Sequence, residues 1–228
     1  MLIAMMVPVQ VRDFLSSLQS PSALVGCRAA TGGFPCCEYD IAVFANGSNS
    51  VVQVGDHAVE LVYTNGHILE FGDMEIIDDS KSFSLSSKIN DATPEKRSRS
   101  LCAAGRKALV MSLMYQQRMK DEKKQELASM WLKAGAYQFV RGALALAGDR
   151  PMPAHELGQL RQTSIKGSAD GIETALECIG VERATRPAIS RSFSAVSEIK
   201  ASDYDAKLVR TKAEWMLEKS MLTDCYYF

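Results

Sequence analysis

The chain has 228 residues and a mass of 25.0 kDa, with 46% hydrophobic and 23% charged residues. That composition excludes extended disorder, collagen and a long coiled coil, and the length suits one large domain or two small ones. Twenty-six Lys and Arg against 27 Asp and Glu leave a formal net charge of −1, which excludes a surface built to coat duplex nucleic acid but allows a local basic patch.

The apolar start, Met1 to Val7, runs for only seven residues before Pro8 and has no basic residue ahead of it, so it does not read as a signal peptide. No stretch approaches the roughly 20 apolar residues of a membrane span, so no membrane association is expected. The six cysteines, Cys27, Cys36, Cys37, Cys102, Cys178 and Cys225, form no C-x-x-C pair and no disulfide framework. The expectation is a soluble cytoplasmic protein with reduced thiols.

In chain order, Pro8 sits at a helix start, and Val11, Phe14, Leu15 and Leu18 follow at helical spacing until Pro21 stops the pattern. Ala23-Leu24-Val25 is a short apolar run meeting Gly26. Residues 27–37, with Thr31-Gly32-Gly33 and Pro35, read as a loop. Strands are predicted at 38–44, 50–54, 57–63 and 67–71, separated by turns at Asn46-Gly47, Gly55-Asp56 and Asn65-Gly66. One helix followed by an antiparallel meander is an α+β layout.

The Ser- and charge-rich segment 78–93 reads as a linker between residues 1–77 and a helical region at 94–228. Thr93-Pro94-Glu95 opens a helix that carries Leu101, Ala104, Ala108, Met111 and Tyr115 on one side, and the Met-rich run MSLMYQQRM reads as core. The charged stretch Lys120 to Glu126 marks a junction, and the next helix, with Leu127, Met130, Trp131, Ala134 and Val140, ends near Gly148. Further helices are predicted near 153–165, 169–180, 188–199 and 203–222, the last carrying Leu208, Trp215 and Met216.

The segment LVGCRAATGGFPCCEYDIAVF, residues 24 to 44, concentrates the chemistry. A strand ends at Gly26, a loop follows, and the chain returns in a strand whose Glu38 and Asp40 share one face by period-two alternation. Two carboxylates this close repel unless a cation lies between them, and oxygen ligands suit magnesium. Gly26 permits close backbone approach, and the amides after it can face phosphate oxygens. The other reading of Glu38 and Asp40 is the solvent face of an edge strand.

Val25, Gly26 and Cys27, then ten residues, then Glu38-Tyr39-Asp40-Ile41 resemble the signature of the polymerase-β-type nucleotidyltransferase superfamily, over roughly residues 8–71. Cys27 stands where the family has Ser or Gly, Glu38 where Asp is commoner, and Arg28 is retained. The resemblance implies a small mixed or antiparallel sheet domain followed by a helical bundle, with Glu38, Asp40 and a third carboxylate holding Mg2+. Glu60 in HAVELVY is the candidate for that third carboxylate, with Glu70 its rival. It further implies that Gly26, Cys27 and Arg28 bind the phosphates of a nucleoside triphosphate, taken as ATP. Transfer would go to a hydroxyl on a small molecule, an RNA end or a protein, and a homodimer is left open.

Two alternatives accompany this reading. One is a catalytically silent nucleotide- or partner-binding module of the antitoxin type. The other is a ribonuclease through Arg150 and His155, which are separated by four residues in RPMPAH, as in helical partners of minimal nucleotidyltransferases. Against the latter, two prolines make this stretch a turn between helices. Arg97, Arg99, Arg106 and Lys107 form a basic cluster suited to a solvated face or to a phosphate backbone. His57 and His67 read as surface histidines beside turns, and Asp56 as a turn residue.

Overall fold

A computed structural model of the chain describes residues 7–30, 33–65, 68–79, 85–163, 169–196 and 206–228. The architecture is α+β, a five-stranded mixed sheet followed by a helical region. The chain divides into two compact units, one comprising Met1–Arg97 with Lys207–Lys212, the other Ser98–Ala206 with Ala213–Phe228.

In the first unit, α1 (Val9–Ser17) starts after Pro8, whose carbonyl accepts the Arg12 N–H, and it buries Val11 and Leu15 completely. Strand β1 (Ser22–Val25) is followed by a one-turn helix, α2 (Gly26–Ala29), where the sequence predicts loop. Then come β2 (Tyr39–Val43), β3 (Ser50–Val54) and β4 (His57–Tyr63), close to their predicted places.

The predicted strand at 67–71 is corrected. Ile68–Glu70 is a 3-10 turn, and β5 (Glu75–Asp78) forms instead. The Thr31-Gly32 part of the predicted loop, Gly66 of the predicted turn and His67 lie outside the described residues. The linker is corrected in part as well. It contains α3 (Leu85–Asp91), whose first amides, Leu85 N–H and Ser86 N–H, donate to the Asp79 carboxylate at 2.7 and 3.1 Å. Residues 80–84 lie outside the description.

The strand order is β3-β4-β2-β1-β5, so the expected antiparallel meander is replaced by a mixed sheet. Strands β2 and β4 run parallel, with Asp40 opposite Glu60, while β1 pairs antiparallel to β2, with Val25 opposite Asp40. The cause is burial on both faces. Leu24, Tyr39, Ile41, Val43, Val59 and Leu61 pack with α1 on one side, and Ala23, Val25, Ala42 and Phe44 pack with Ile68 and Leu85 on the other. A central strand buried twice takes whatever neighbour completes both layers, not the next strand in the chain.

In the helical unit, α4 (Pro94–Asp121) and α5 (Gln125–Ala147) are followed by α6 (Glu156–Gln162), α7 (Ala169–Ile179), α8 (Arg186–Val196), α9 (Ala206–Glu218) and α10 (Leu222–Tyr227). The helix α9 is shared by the two units at Lys212/Ala213. No helix among the described residues is long and apolar enough to cross a membrane.

The reading of the Met-rich run as core is also corrected. Leu113 and Met114 are 64% and 48% exposed, and the buried positions of α4 are Gly105 and Ser112. A Cβ at Gly105 would meet Leu146 and the Gly142 carbonyl, and one at Gly142 would crowd Leu109. The small residues therefore form the helix seam, and the larger apolar ones turn outward.

Candidate active site

Alternation along β2 sends Tyr39, Ile41 and Val43 toward α1 and Asp40 and Ala42 toward the other layer, so Asp40 occupies an otherwise apolar face. Parallel pairing then sets Glu60 beside Asp40, and Glu38 precedes the strand by one residue. Oxygens of Glu38, Asp40 and Glu60 all lie within 4.8 Å of one another. The three sequence-predicted carboxylates are thus brought together. The Glu70 side chain falls outside the described residues.

Electrostatics follow from this crowding. Burial, and then the charges of Glu38 and Glu60, raise the Asp40 carboxyl to about 8. Burial and the Glu38 charge likewise raise Glu60, which stands opposite Asp40 in the parallel pair. Asp40 Oδ1 is buried with no hydrogen-bond partner. A buried carboxylate oxygen without a hydrogen-bond partner, within a triad of oxygen donors, fits a hard divalent cation such as magnesium.

Gly26 follows β1 with a φ of +70°, a left-handed conformation. A Cβ at this position would overlap the Asp40 carboxylate, so the glycine is required both by conformation and by space. Gly26→Ala is expected to cost about 2–4 kcal/mol, from roughly 1 kcal/mol of left-handed strain and the remainder from overpacking. Denaturant unfolding measures this. A loss under about 0.5 kcal/mol would show that Asp40 does not press on residue 26.

Cys27 and Cys37 are both buried, and their sulfurs lie within the same 4.8 Å limit. Hydrogen bonding to the Cys37 thiol, and then burial, push the Cys27 and Cys36 thiols well above their ordinary range. They are therefore protonated at neutral pH and do not act as nucleophiles.

Arg28 turns inward to its own loop. Its Nε donates to the Cys37 and Glu38 carbonyls at 3.0 Å each, and Nη2 donates to the Pro35 and Cys37 carbonyls at 3.1 and 2.5 Å. Its guanidinium carbon stands 4.2 Å from the Tyr39 ring centroid. Arg28 thereby fixes the loop that delivers Glu38. Tyr39 also meets the His57 ring edge to face at 5.5 Å.

Sequence reasoning missed Lys212. Its Nζ lies 2.6 Å from Glu38 Oε1 and 2.5 Å from Oε2, with both side chains about 10% exposed. Burial is the largest single influence and disfavours the ammonium, but the Glu38 charge, the hydrogen bond to Glu38 and the nearby Cys37 and Asp40 together outweigh it, and the lysine is held above its usual value. The two residues are 174 apart in sequence, so no local pattern joins them. One signal was present. Lys212 falls at the i+4 position between Leu208 and Met216, a charge in the apolar stripe of α9.

The other sequence candidates sit elsewhere. Arg97 donates to the Ala92 and Gly72 carbonyls at 2.9 Å each, while Arg99, Arg106 and Lys107 lie exposed on α4. The Arg150–His155 stretch joins α5 to α6 and includes a 3-10 turn at Pro153–His155. Gln159 clamps it by donating to the Arg150 carbonyl and accepting the Met152 N–H, at 2.7 and 3.0 Å. No family model and no curated protein matches this chain.

Proposed function

We propose that the protein is a nucleotidyltransferase that moves a nucleoside monophosphate from a nucleoside triphosphate, taken as ATP, to an acceptor hydroxyl, with release of pyrophosphate. The observation that carries this reading is the convergence of Glu38, Asp40 and Glu60 on and beside neighbouring strands, next to a glycine whose Cβ would overlap the Asp40 carboxylate. Magnesium bound there neutralises phosphate charge and polarises the phosphoryl group under attack.

The residues of the chain do the rest. Asp40 supplies an oxygen ligand from a strand locked by burial on both faces, and Glu38, one residue before that strand, adds its charge to the same volume. Glu60, whose proton affinity is raised by burial and by Glu38, is the base for the proton of the acceptor hydroxyl. The main chain of Gly26 and Cys27 approaches the phosphates, while Arg28 holds the adjoining loop. The acceptor is a hydroxyl of a small molecule, an RNA end or a protein.

The Lys212–Glu38 bond favours a second reading, in which the same site binds nucleotide without turnover. Thermal shift with magnesium and a non-hydrolysable ATP analogue, followed by turnover of labelled triphosphate against pools of small molecules, RNA and protein, separates the two. Binding with transfer supports the enzyme, and binding without transfer supports the silent module. Absence of any shift overturns both.

A further inference from the structure

Three carboxylates with oxygens within 4.8 Å of one another place three negative charges in one small volume when all are ionised. The protein answers with one buried cation of its own. Lys212 donates a hydrogen bond to Glu38 Oε1 and pairs by charge with Oε2 at 2.5 Å, which leaves Asp40 and Glu60 facing one another, with Asp40 Oδ1 making no hydrogen bond. The net charge left to an incoming ion is two, which one divalent cation neutralises.

We propose that Lys212 is the internal counter-cation of this cluster. Its ammonium takes the place at Glu38 that a second metal would need, so the site holds a single divalent cation between Asp40 and Glu60. The proposal rests on reading the carboxylates as a metal site, and it deepens that reading by fixing the number of ions. The geometry behind it is the chelation of Glu38. Both oxygens lie within 2.6 Å of one Nζ, Oε1 as a hydrogen-bond acceptor and Oε2 as an ion-pair partner that makes no hydrogen bond, so a metal at Glu38 would have to displace the ammonium. A like charge a few ångströms from a dication also weakens its binding, so removing the lysine must tighten the site.

The test is titration of the full chain with Mn2+ alone, following free Mn2+ by electron paramagnetic resonance and stability by thermal shift. The parent is expected to bind one Mn2+ that Asp40→Asn abolishes. Lys212→Met is expected to bind at least about tenfold more tightly or to take up a second ion. Because Lys212→Met leaves Glu38 buried without a partner, Glu38→Gln/Lys212→Met is prepared beside it. This pair removes both charges and is expected to keep one ion at Asp40 and Glu60. If Lys212→Met alone fails to fold, recovery of a cooperative transition on adding Mn2+ supports the proposal, and failure to recover overturns it. A parent that binds one ion together with a Lys212→Met variant of equal or weaker affinity overturns the role of Lys212 and leaves the metal site standing. Absence of Mn2+ binding in the parent and in both variants overturns the metal site itself, and this proposal with it.

Discussion

Asp40→Asn is expected to lower magnesium-dependent nucleotide affinity by more than about 100-fold, since loss of a direct ligand exceeds the loss seen for outer-shell partners. The thermal shift given by magnesium with a non-hydrolysable triphosphate should vanish, and an unchanged shift would remove Asp40 from the site. The same substitution should leave the ligand-free protein as stable as the parent or more so at pH 8. The sign follows from the direction of the shift. Asp40 titrates near 8 in the fold against 3.8 in the free side chain, because it is buried beside Glu38 and Glu60. The folded state therefore holds a proton that the unfolded chain has already lost. Its contribution is fully present below about pH 4 and is lost as pH rises through 8, with a slope of at most about 1.4 kcal/mol per pH unit. Unfolding free energies measured across this range should fall with pH in the parent. Asp40→Asn should flatten most of that fall, and equal slopes in the two proteins would show that Asp40 ionises freely.

The largest loss of stability is expected in the helical unit, at Glu156. This carboxylate is 1% exposed, accepts Arg141 Nε at 2.8 Å and accepts the Tyr227 hydroxyl at 2.7 Å. Tyr137 completes the arrangement by donating to the Tyr227 carbonyl at 2.9 Å, with the two rings edge to face at 5.0 Å. Burial, and then the Glu156 charge, raise the Tyr227 hydroxyl, so it remains a donor. Close by, Arg161 holds Asp224 with two bonds of 3.1 Å, so α10 is fastened at both ends of its turn. Glu156→Ala removes the shared acceptor and strands a buried hydroxyl and a partly buried guanidinium, with an expected cost of about 3–5 kcal/mol. Arg141→Met/Glu156→Leu, which removes both charges and fills the space, should recover much of that loss. Denaturation followed by circular dichroism at 222 nm measures it. A loss below about 1 kcal/mol in Glu156→Ala would mean that α10 is held by apolar contacts alone.

The legibility of this protein from its sequence has a physical pattern. Elements defined by their own periodicity were readable. The stripe of Val11 and Leu15, the long helices opened by Pro94 and closed at Gly148, and the strands at 50–54 and 57–63 all announce themselves through local chemistry. The candidate carboxylates were readable for the same reason, because a charge alternating with apolar residues in a strand has few explanations.

Pairing partners were not readable. The spacing of β2, β3 and β4 suits a simple meander, and only burial on both faces makes β4 run parallel to β2 and puts Glu60 beside Asp40. The Met-rich run of α4 went the other way. Hydrophobicity marked it as core, but Gly105, Gly135 and Gly142 let the helices approach through small residues and leave Leu113 and Met114 outside. Lys212 is the furthest case. Its place in an apolar stripe was visible, but its partner lies 174 residues away, and only the folded chain brings the two together. Sequence by itself determined the α+β class, the long helices and the chemical character of Glu38, Asp40 and Glu60, because those follow from local periodicity and side-chain type. Tertiary structure alone decided which strands pair, what Arg28 is bound to and which cation faces Glu38, because each of these depends on groups that the chain separates and burial reunites.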